Sequence, residues 1–420
     1  MSVEVRCLEL LSLAHGTSEM KRIGVDPVGA ALMAPKQFHY NLLLKAITPP
    51  QANILKQEIL AIGGEAAVSK GVAACRVKVT DVLVSGTLKE LRLLVKKLRA
   101  QPYGLKEVSA SIEEVIKKTQ KEGTIFKGSS FLWNFNSPRD IRIMGVLNIT
   151  PDSFSSDGAL YKDIDKTVLR AEEMVRDGAD IIDVGGESTR PGAEPVSEAE
   201  EIKRVLPVIR ALKKKGILVS VDTTKASVAR VSIDEGVDVI NDISAMEGDK
   251  DMAGLIKDCT VGVVLMHSRG MPKTMQADTN YTDIVGEVFS YLNERINFTE
   301  ELGIEKSRIA IDPGIGFGKS TEGNLEILRR LKEFSSIGSP LLIGTSRKSF
   351  IGNITGVKDA RQRLSGTIAS ISLALGAGAR IIRVHDVLEA REALSVAGAV
   401  LAEKSLTEAN QDTGEPEVVL

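Results

Sequence analysis

Residues 141–150 read IRIMGVLNIT, an apolar run that is typical of a buried β-strand and ends near the polar residue Asn148. Seven further runs of this kind lead into Asn, Asp, His, Lys or Arg. They are DIIDVGGEST (180–189), ILVSVDTTK (217–225), VDVINDIS (237–244), VGVVLMHS (261–268), RIAIDPG (308–314), PLLIGTSRKS (340–349) and RIIRVHDV (380–387). In a closed barrel of parallel strands, the carboxyl ends of the strands surround one site. We therefore predict that polar groups far apart in the sequence converge in space.

The fold class follows from the alternation of these runs with helical patterns between Ile141 and Glu403, which predicts a parallel sheet with crossover helices. About eight β/α units fit into this length. An open doubly wound sheet is the alternative, but it would be expected to carry a glycine-rich phosphate loop after its first strand, and LNITPDSF (147–154) is not such a loop. The expected fold is α/β, a (β/α)₈ TIM barrel preceded by a smaller α/β or α+β domain.

The region before the barrel mixes short strand-like runs with helices. We expect strands at 38–47 and 79–87 and helices at 49–64, 88–100 and 105–121. The basic helix LKELRLLVKKLRA (88–100) is interpreted as a solvated amphipathic face, with a dimerisation or partner-binding surface as the alternative. The predicted organisation is an N-terminal domain of unknown role at 1–125, a linker at 126–138, a catalytic barrel at 139–405 and a flexible tail at 406–420.

Composition excludes several classes of partner. The 420 residues are 43% hydrophobic and 26% charged, with a net charge of −2, so we expect no general attraction to nucleic acid or to an anionic membrane. No apolar run reaches the length of a membrane span, and no signal segment opens the sequence. The three cysteines are widely spaced, which favours a reducing compartment over a disulfide framework. A cytoplasmic location is the expectation.

Acidic and amide side chains end several of the strand runs. Asp222, Asn241, Asp242 and Asp312 could each be a helix N-cap when considered alone. Together they suit a flat heterocycle with several ring N–H and C=O groups. Such a site discriminates well, because a mismatched ligand leaves buried polar groups unpaired at roughly 1–3 kcal/mol each. Phe317, in the glycine-rich segment DPGIGFGK (312–319), is either a core plug or a ligand contact.

Basic residues cluster after the last two runs. Lys348 follows the seventh run, and Arg383 and His385 lie in the eighth, where barrels often bind phosphate. In a chain of nearly zero net charge, this cluster predicts a polyanionic ligand. His267 also ends a run, but the spacing of the histidines matches no zinc motif, so a zinc site is disfavoured.

The stretch from Pro138 to Glu403 resembles the dihydropteroate synthases, a family of pterin-binding barrel enzymes. The resemblance rests on an ordered set of motifs rather than on any one of them. These are MGVLNITPDSF (144–154), DVGGESTRPG (183–192), SVDTTK (220–225), INDIS (240–244), LMHSRGMPKTMQ (265–276), DPGIGFGK (312–319), SRKSFIG (346–352) and RVHDV (383–387).

The resemblance implies a transferase of folate biosynthesis. It joins para-aminobenzoate to a dihydropterin that carries a methylene pyrophosphate, and it releases pyrophosphate. The resemblance implies that the pterin edge is held by Asp222, Asn241, Asp312 and Lys348. Arg383 would lie along the pterin face and, with His385 and Asn148, would hold the pyrophosphate. The implied aminobenzoate site consists of Thr189, Arg190, Pro191, Phe154, Phe317 and Ser349. Asn148 would help to place Mg²⁺, and a homodimer is expected partly through the apolar helix at 364–379.

One departure from the family pattern lies in the first loop. The family usually has SFSDGG where this sequence has SFSSDGA (153–159), so Asp157 is not assigned to the site. Two other readings are kept: a methyltransferase that moves a methyl group from a folate to a cobalt cofactor, and a pterin-binding barrel without turnover. The basic cluster argues against both, because neither of them needs a pyrophosphate site.

Overall fold

The computed structural model describes residues 3–120, 123–150, 163–188, 193–270 and 275–402. The chain divides into two compact units, residues 1–120 and 121–420. Each unit has a hydrophobic core of its own, as expected of a domain.

The N-terminal unit contains an antiparallel sheet of three strands in the order β1-β3-β2. Its elements are α1 (Leu13–Arg22), α2 (Pro27–Met33), β1 (His39–Ile47), α3 (Pro49–Leu60), β2 (Glu65–Val68), β3 (Thr80–Thr87), α4 (Leu88–Leu98) and α5 (Leu105–Gln120). Helix α4 begins with a capping box, because the Thr87 hydroxyl accepts the Glu90 N–H while the Glu90 carboxylate accepts the Thr87 N–H. Leu88, Leu91, Leu94 and Leu98 are buried in the core of this unit, which agrees with the amphipathic interpretation.

The second unit contains a barrel of eight parallel strands. They are β6 (Arg142–Asn148), β7 (Ile181–Gly185), β8 (Val219–Asp222), β9 (Val239–Asp242), β10 (Gly262–Met266), β11 (Ile309–Asp312), β12 (Leu342–Ile343) and β13 (Ile381–Val384). Each strand from β6 to β11 pairs with the next along the chain, and β13 lies between β6 and β12. A parallel bridge between Ile311 and Leu341 brings β11 against β12. This arrangement confirms the predicted TIM barrel.

Helices surround the strands and bury a continuous apolar layer against them. They are α6 (Ile164–Arg176), α7 (Glu198–Lys214), α8 (Ala226–Asp234), α9 (Met252–Lys257), α10 (Ile284–Glu301), α11 (Thr321–Arg329), α12 (Ser349–Thr355), α13 (Leu364–Gly376) and α14 (Val387–Leu401). Within the described ranges, no helix combines the length and apolar character that a bilayer crossing requires.

Side-chain alternation divides the barrel interior into an apolar and a polar level. Residues two apart on a strand point to the same face. On four alternate strands a buried apolar residue is followed two positions later by a polar one. The pairs are Ile181 and Asp183, Val239 and Asn241, Ala310 and Asp312, and Ile381 and Arg383. We call Asp183, Asn241, Asp312 and Arg383 the polar layer. Barrels usually fill such layers with branched apolar side chains, so this layer indicates a functional site.

A β-hairpin occupies part of the segment expected to be a linker. Strands β4 (Thr124–Lys127) and β5 (Leu132–Phe135) pair in an antiparallel manner. Phe126, Trp133 and Phe135 of this hairpin form one buried cluster with residues such as Ile181 and Ile381, which begin barrel strands. The hairpin therefore covers the amino-terminal end of the barrel. These aromatic side chains are buried because the first residues of the strands leave an apolar surface to be covered.

Candidate active site

Asp183 is the centre of the polar layer. Its Oδ2 accepts a hydrogen bond from Arg383 Nε at 2.6 Å and another from Asn241 Nδ2 at 3.1 Å. The side chain is fully buried, and within the described residues its Oδ1 has no hydrogen-bond partner. A buried carboxylate oxygen without a donor is costly, so this atom is an acceptor that a bound ligand could satisfy.

Arg383 joins two carboxylates that lie on different strands. Its Nε contacts Asp183, and its Nη2 donates to Asp222 Oδ2 at 2.8 Å. The Arg383 side chain is 20% exposed, whereas the Asp222 side chain is only 7% exposed. The guanidinium is therefore oriented by fixed partners, which leaves its planar group preorganised at the carboxyl ends of the strands.

The acidic groups of the site are held in an environment that disfavours their charge. Burial raises the pKa of the Asp222 carboxyl to about 7, although Arg383 acts in the opposite direction. Burial also raises the pKa of Asp312, which Lys348 opposes. Asp312 Oδ1 accepts the Gly314 N–H at 2.7 Å. Carboxyl groups with raised pKa values in a buried site are typical of binding and catalytic centres.

Lys348 reaches the same site from the loop after β12. Its Nζ lies 4.7 Å from the centre of the Phe317 ring and donates to the Ile315 carbonyl. Burial lowers the pKa of Lys348 to about 8, against the effect of Asp312. Gly316 has φ +86°, and a Cβ there would lie 3.2 Å from Lys348 Cδ, so glycine leaves room for the lysine chain.

Asn148 ends β6 next to a gap kept open by glycine. A Cβ at Gly185 would lie 3.2 Å from Asn148 Oδ1 and 3.8 Å from Asp222 Cβ. The absence of a side chain at Gly185 therefore leaves space between the ends of the first and third barrel strands, into which a ligand could extend.

His385 and the loop after β12 are tied together. Ser346 Oγ lies 3.0 Å from His385 Nδ1 and accepts the His385 backbone N–H at 3.2 Å. Arg347, the neighbour of Lys348, forms two hydrogen bonds with Asp386 at 3.0 and 2.5 Å. Arg347 is thus held by Asp386, in a contact that joins the loops after β12 and β13.

The glycine-rich segment 312–319 is held by a buried lysine. Lys319 Nζ donates to the carbonyls of Gly314 and Phe317, both at 2.9 Å, and lies 2.9 Å from His267 Nδ1. Burial lowers the pKa of His267 to about 2, so this imidazole is neutral. His267 therefore has a structural role. Within the described residues, no group of three or more His, Cys, Asp or Glu side chains could hold a metal ion.

The sequence matches the family model of the pterin binding enzymes over residues 144–385, more than half of the chain. The chain belongs to the pterin-binding enzyme family. The matched range begins in β6 and ends at His385, so it contains most of β6, the other seven strands of the barrel, and the residues Lys348, Arg383 and His385.

Relatives of known name fall into two groups. The Bacillus subtilis dihydropteroate synthase is 46% identical over 246 residues, which are 58% of this chain and 83% of that protein. A probable bifunctional folylpolyglutamate synthase/dihydropteroate synthase from Halobacterium salinarum is 39% identical over 388 residues, 92% of this chain but 46% of that protein. The chain thus spans less than half the length of this bifunctional relative.

A solved structure agrees with these relatives. The Xanthomonas albilineans dihydropteroate synthase with 4-aminobenzoic acid superposes with a TM-score of 0.62 at 40% sequence identity. The match covers 67% of this chain and all of that one.

The barrel brings together most of the residues that were predicted to bind the pterin. Asp222 bonds to Arg383, and Asn241 and Arg383 both bond to Asp183. Electrostatic interactions connect Lys348 with Asp312, Arg383 and Asp222. Ser349 is exposed at the first position of α12. The predicted residues Phe154, Thr189, Arg190 and Pro191 lie outside the described residues.

Two acidic residues near the site, Asp183 and Glu201, were not predicted from the sequence. Asp183 could have been found by counting two positions from Ile181, but it stands in the middle of an apolar run rather than at its end. Glu201 lies in the first turn of α7, where acidic residues are usual next to an N-cap. The Ser197 hydroxyl does accept the Glu200 N–H, whereas Glu201 is buried and bonds to Lys225 at 2.5 Å. Only the fold identifies that partner.

Proposed function

We propose that this protein is a dihydropteroate synthase. It transfers the methylene carbon of 6-hydroxymethyl-7,8-dihydropterin pyrophosphate to the amino group of para-aminobenzoate. The C–O bond to pyrophosphate breaks, a C–N bond forms, and the amine gives one proton to solvent. The products are 7,8-dihydropteroate and pyrophosphate, so the enzyme is a transferase of folate biosynthesis.

The polar layer, together with Asp222 and Lys348, is the proposed pterin site. Asp222, Asn241 and Asp312 supply carboxylate and amide groups for the donors and acceptors of the ring, and Lys348 supplies a cation for its acceptors. The proposal is supported by the Asp183 oxygen that has no partner among the described residues and by the raised pKa values of Asp222 and Asp312. A ring with N–H groups would restore hydrogen bonds to buried carboxyl groups.

The basic cluster is proposed to hold the pyrophosphate. The carbon–oxygen bond breaks with charge developing on the leaving group, while the electron-rich ring delocalises positive charge. Arg383 and His385 would stabilise the departing anion. The single observation that carries this proposal is the orientation of Arg383 by Asp183 and Asp222, since a donor fixed before the reaction needs no rearrangement.

The acceptor amine is proposed to bind at the carboxyl ends of the barrel strands. Phe317 and Ser349 would contact it, together with Phe154, Thr189, Arg190 and Pro191. The presence of 4-aminobenzoic acid with the Xanthomonas albilineans enzyme supports this choice of acceptor. An aromatic amine is unprotonated near neutral pH, so the reaction requires no strong general base.

The test is to mix both substrates with the protein and to measure pyrophosphate and dihydropteroate together. We expect equal amounts of the two products. Arg383→Ala should lower turnover about 10²- to 10³-fold, because it removes a preorganised donor. Arg361→Ala, at a largely exposed surface arginine, is the matched control and should leave turnover unchanged. Binding of pterin without pyrophosphate release, or methyl transfer instead, would contradict the proposal.

Mg²⁺ is the proposed cofactor, with Asn148 as its protein ligand. The site suits this ion, because Mg²⁺ usually takes only one or two protein oxygens and completes its shell with phosphate oxygens and water. The Asn148 amide oxygen beside Gly185 would supply such a protein oxygen. When bound, the ion would neutralise charge on the pyrophosphate. Removal of divalent ions with EDTA should abolish turnover, and Mg²⁺ should restore it; full activity in EDTA would contradict the assignment.

A homodimer through α13 and α14 is also proposed. These helices pack on each other, and three of their apolar side chains are 67–78% exposed: Leu373, Val396 and Val400. An apolar patch of this kind supports self-association. We expect a dimer by sedimentation at micromolar concentration and a monomer for Leu373→Glu combined with Val400→Glu. Leu169→Glu, on the exposed side of α6, is the control. A wild-type monomer would contradict the proposal.

A cytoplasmic location is proposed on the basis of the cysteines. Cys7, Cys75 and Cys259 are all free thiols, which suits a reducing compartment.

A further inference from the structure

Ser346 contacts His385 twice through one oxygen atom. The serine side chain is buried, with 7% of the residue exposed, and it lies three residues after the end of β12. Its Oγ lies 3.0 Å from His385 Nδ1 and 3.2 Å from the His385 backbone nitrogen. The backbone N–H is a donor under all conditions, so the oxygen accepts at least that bond.

The Ser346 hydroxyl must also donate its own proton to an acceptor. A serine hydroxyl carries a single proton and two acceptor lone pairs. In the part of the chain that the structure describes, Ser346 Oγ has no bonding partner besides the two nitrogens of His385. If the imidazole also donated from Nδ1, the hydroxyl would be a buried donor without an acceptor, which is unfavourable. We infer that Ser346 donates to His385 Nδ1 and holds the neutral imidazole in the tautomer with its proton on Nε2.

Hydrogen bonds of the neighbouring residues hold Ser346 and His385 in position. Arg347 and Asp386, the next residues of the two loops, are joined by two hydrogen bonds. The Arg347 backbone has φ 60°, an unusual conformation for a residue other than glycine. It is held by Thr367, whose Oγ1 accepts the Arg347 N–H at 3.1 Å, and by Arg363, which donates to the Arg347 carbonyl at 2.9 Å. The Ser346–His385 contact is thus part of a rigid junction between the loops.

The tautomer matters for the proposed function, on which this step rests. With the proton on Nε2, a neutral imidazole offers an N–H donor on the side away from Ser346. This donor can stabilise an oxygen of the departing pyrophosphate without prior protonation of the ring. The other tautomer would present a lone pair to that anion. Ser346 is therefore a positioning residue that acts through His385.

The tautomer can be observed directly in the full chain. The protein has four histidines, so ¹⁵N-histidine labelling produces few signals, and the His385→Gln variant assigns those of His385. The spectra are recorded without substrates at a pH near 8.5, above the usual histidine pKa of about 6.5. We expect a protonated Nε2 and an unprotonated Nδ1. A protonated Nδ1 in the wild type would overturn the inference without any variant.

Variants then separate positioning from packing. In Ser346→Ala, the His385 tautomer with its proton on Nδ1 should become populated. Turnover should fall about fivefold with KM values unchanged, which is less than the 10²- to 10³-fold loss expected when a whole donor is removed. Ser346→Thr keeps the hydroxyl and should restore the single tautomer. Ser232→Ala removes another buried serine hydroxyl, distant in sequence, and should change neither spectrum nor turnover. An unchanged His385 spectrum in Ser346→Ala would refute the inference.

The histidine spectra and the pyrophosphate assay test separate claims. If the wild type releases no pyrophosphate, the proposed function is wrong, whereas the tautomer measurement still decides whether Ser346 controls His385. If release occurs and Nδ1 carries the proton, the function stands and the role of Ser346 does not.

Discussion

Asp222 carries a conflict between folding and binding at the scale of one residue. Its carboxyl is buried beside Arg383, yet burial still raises its pKa to about 7. In the unfolded chain the same carboxyl ionises near its ordinary value of 3.8. Between these two pH values the folded state holds a proton that the unfolded state has lost. The stability of the protein therefore falls as the pH rises through this interval, and a binding group is retained at the expense of stability.

Replacing Asp222 by Asn should stabilise the ligand-free protein in a pH-dependent way. The gain should grow from about pH 4 to about pH 7 and then level off, reaching on the order of 4 kcal/mol, because Asn has no charge to bury. Urea unfolding of both proteins at several pH values measures the difference. A gain that is the same at pH 4.5 and pH 7.5 would show that ionisation of Asp222 has no part in it.

At the scale of elements, a buried cation connects the loops after β7 and β8 with helix α7. Lys225 Nζ bonds to Glu187 and, at 2.5 Å, to Glu201, whose side chain is 1% exposed. Glu187 also accepts the Val196 N–H at 3.2 Å, which ties residues on both sides of the 189–192 segment. Burial raises the pKa of Glu201, and Lys225 opposes this effect. Lys225 thus offsets the cost of burying the Glu201 carboxylate at the point where the two loops meet α7.

Lys225→Met should destabilise the protein by about 3–5 kcal/mol, because it leaves the buried Glu201 without its cation. Adding Glu201→Gln to this variant should recover part of the loss. The control is Lys203→Met on α7, where a 78% exposed lysine lies 4.0 Å from Glu200 and a change below about 0.5 kcal/mol is expected. Denaturant unfolding checks all three variants. Equal losses for Lys225→Met and Lys203→Met would contradict the argument.

The β4–β5 hairpin should contribute to barrel stability through its inward-facing side chains. Phe126 is fully buried beneath the barrel strands, and its neighbour Ile125 is 40% exposed. Phe126→Ala should cost about 3–5 kcal/mol by leaving a cavity, whereas Ile125→Ala should cost less than about 1 kcal/mol. Thermal and urea unfolding measure both changes. A small effect of Phe126→Ala would mean that the hairpin is only loosely attached.

At the scale of the whole molecule, the division into two units separates the polar layer from the first 120 residues. All residues assigned to the proposed site lie in the second unit, which has its own core. Domains with a core of their own can generally fold alone. The hairpin belongs to this unit, so the boundary relevant to folding lies before Thr124 rather than after the expected linker.

A shortened chain of residues 123–420 should therefore fold and release pyrophosphate at a rate within about twofold of the full chain, since its core is complete. A chain that begins at Ser137 lacks the hairpin and should unfold at a lower temperature or aggregate. Calorimetry and the pyrophosphate assay compare the three proteins. If 123–420 folds without turnover, the N-terminal unit contributes to the reaction.

The sequence by itself determined the barrel and the polar residues that follow its apolar runs. Buried parallel strands require long apolar runs, and the polar residues that end these runs, such as Asp222 and Asp312, are visible without coordinates. Arg383 is visible because it interrupts an apolar run. The period of strands and helices then allowed the eight units to be counted. These features are local, since each depends on a few neighbouring residues.

Only the tertiary structure decided which of these groups pair. Arg383 bonds to Asp183 and Asp222 across 200 and 161 positions of sequence, and Ser346 bonds to His385 across 39. The hairpin at 124–135 is buried because the barrel above it presents an apolar end, a surface that exists only after the strands have closed. Pairings and burial of this kind depend on distances between remote segments, and local sequence patterns do not encode those distances.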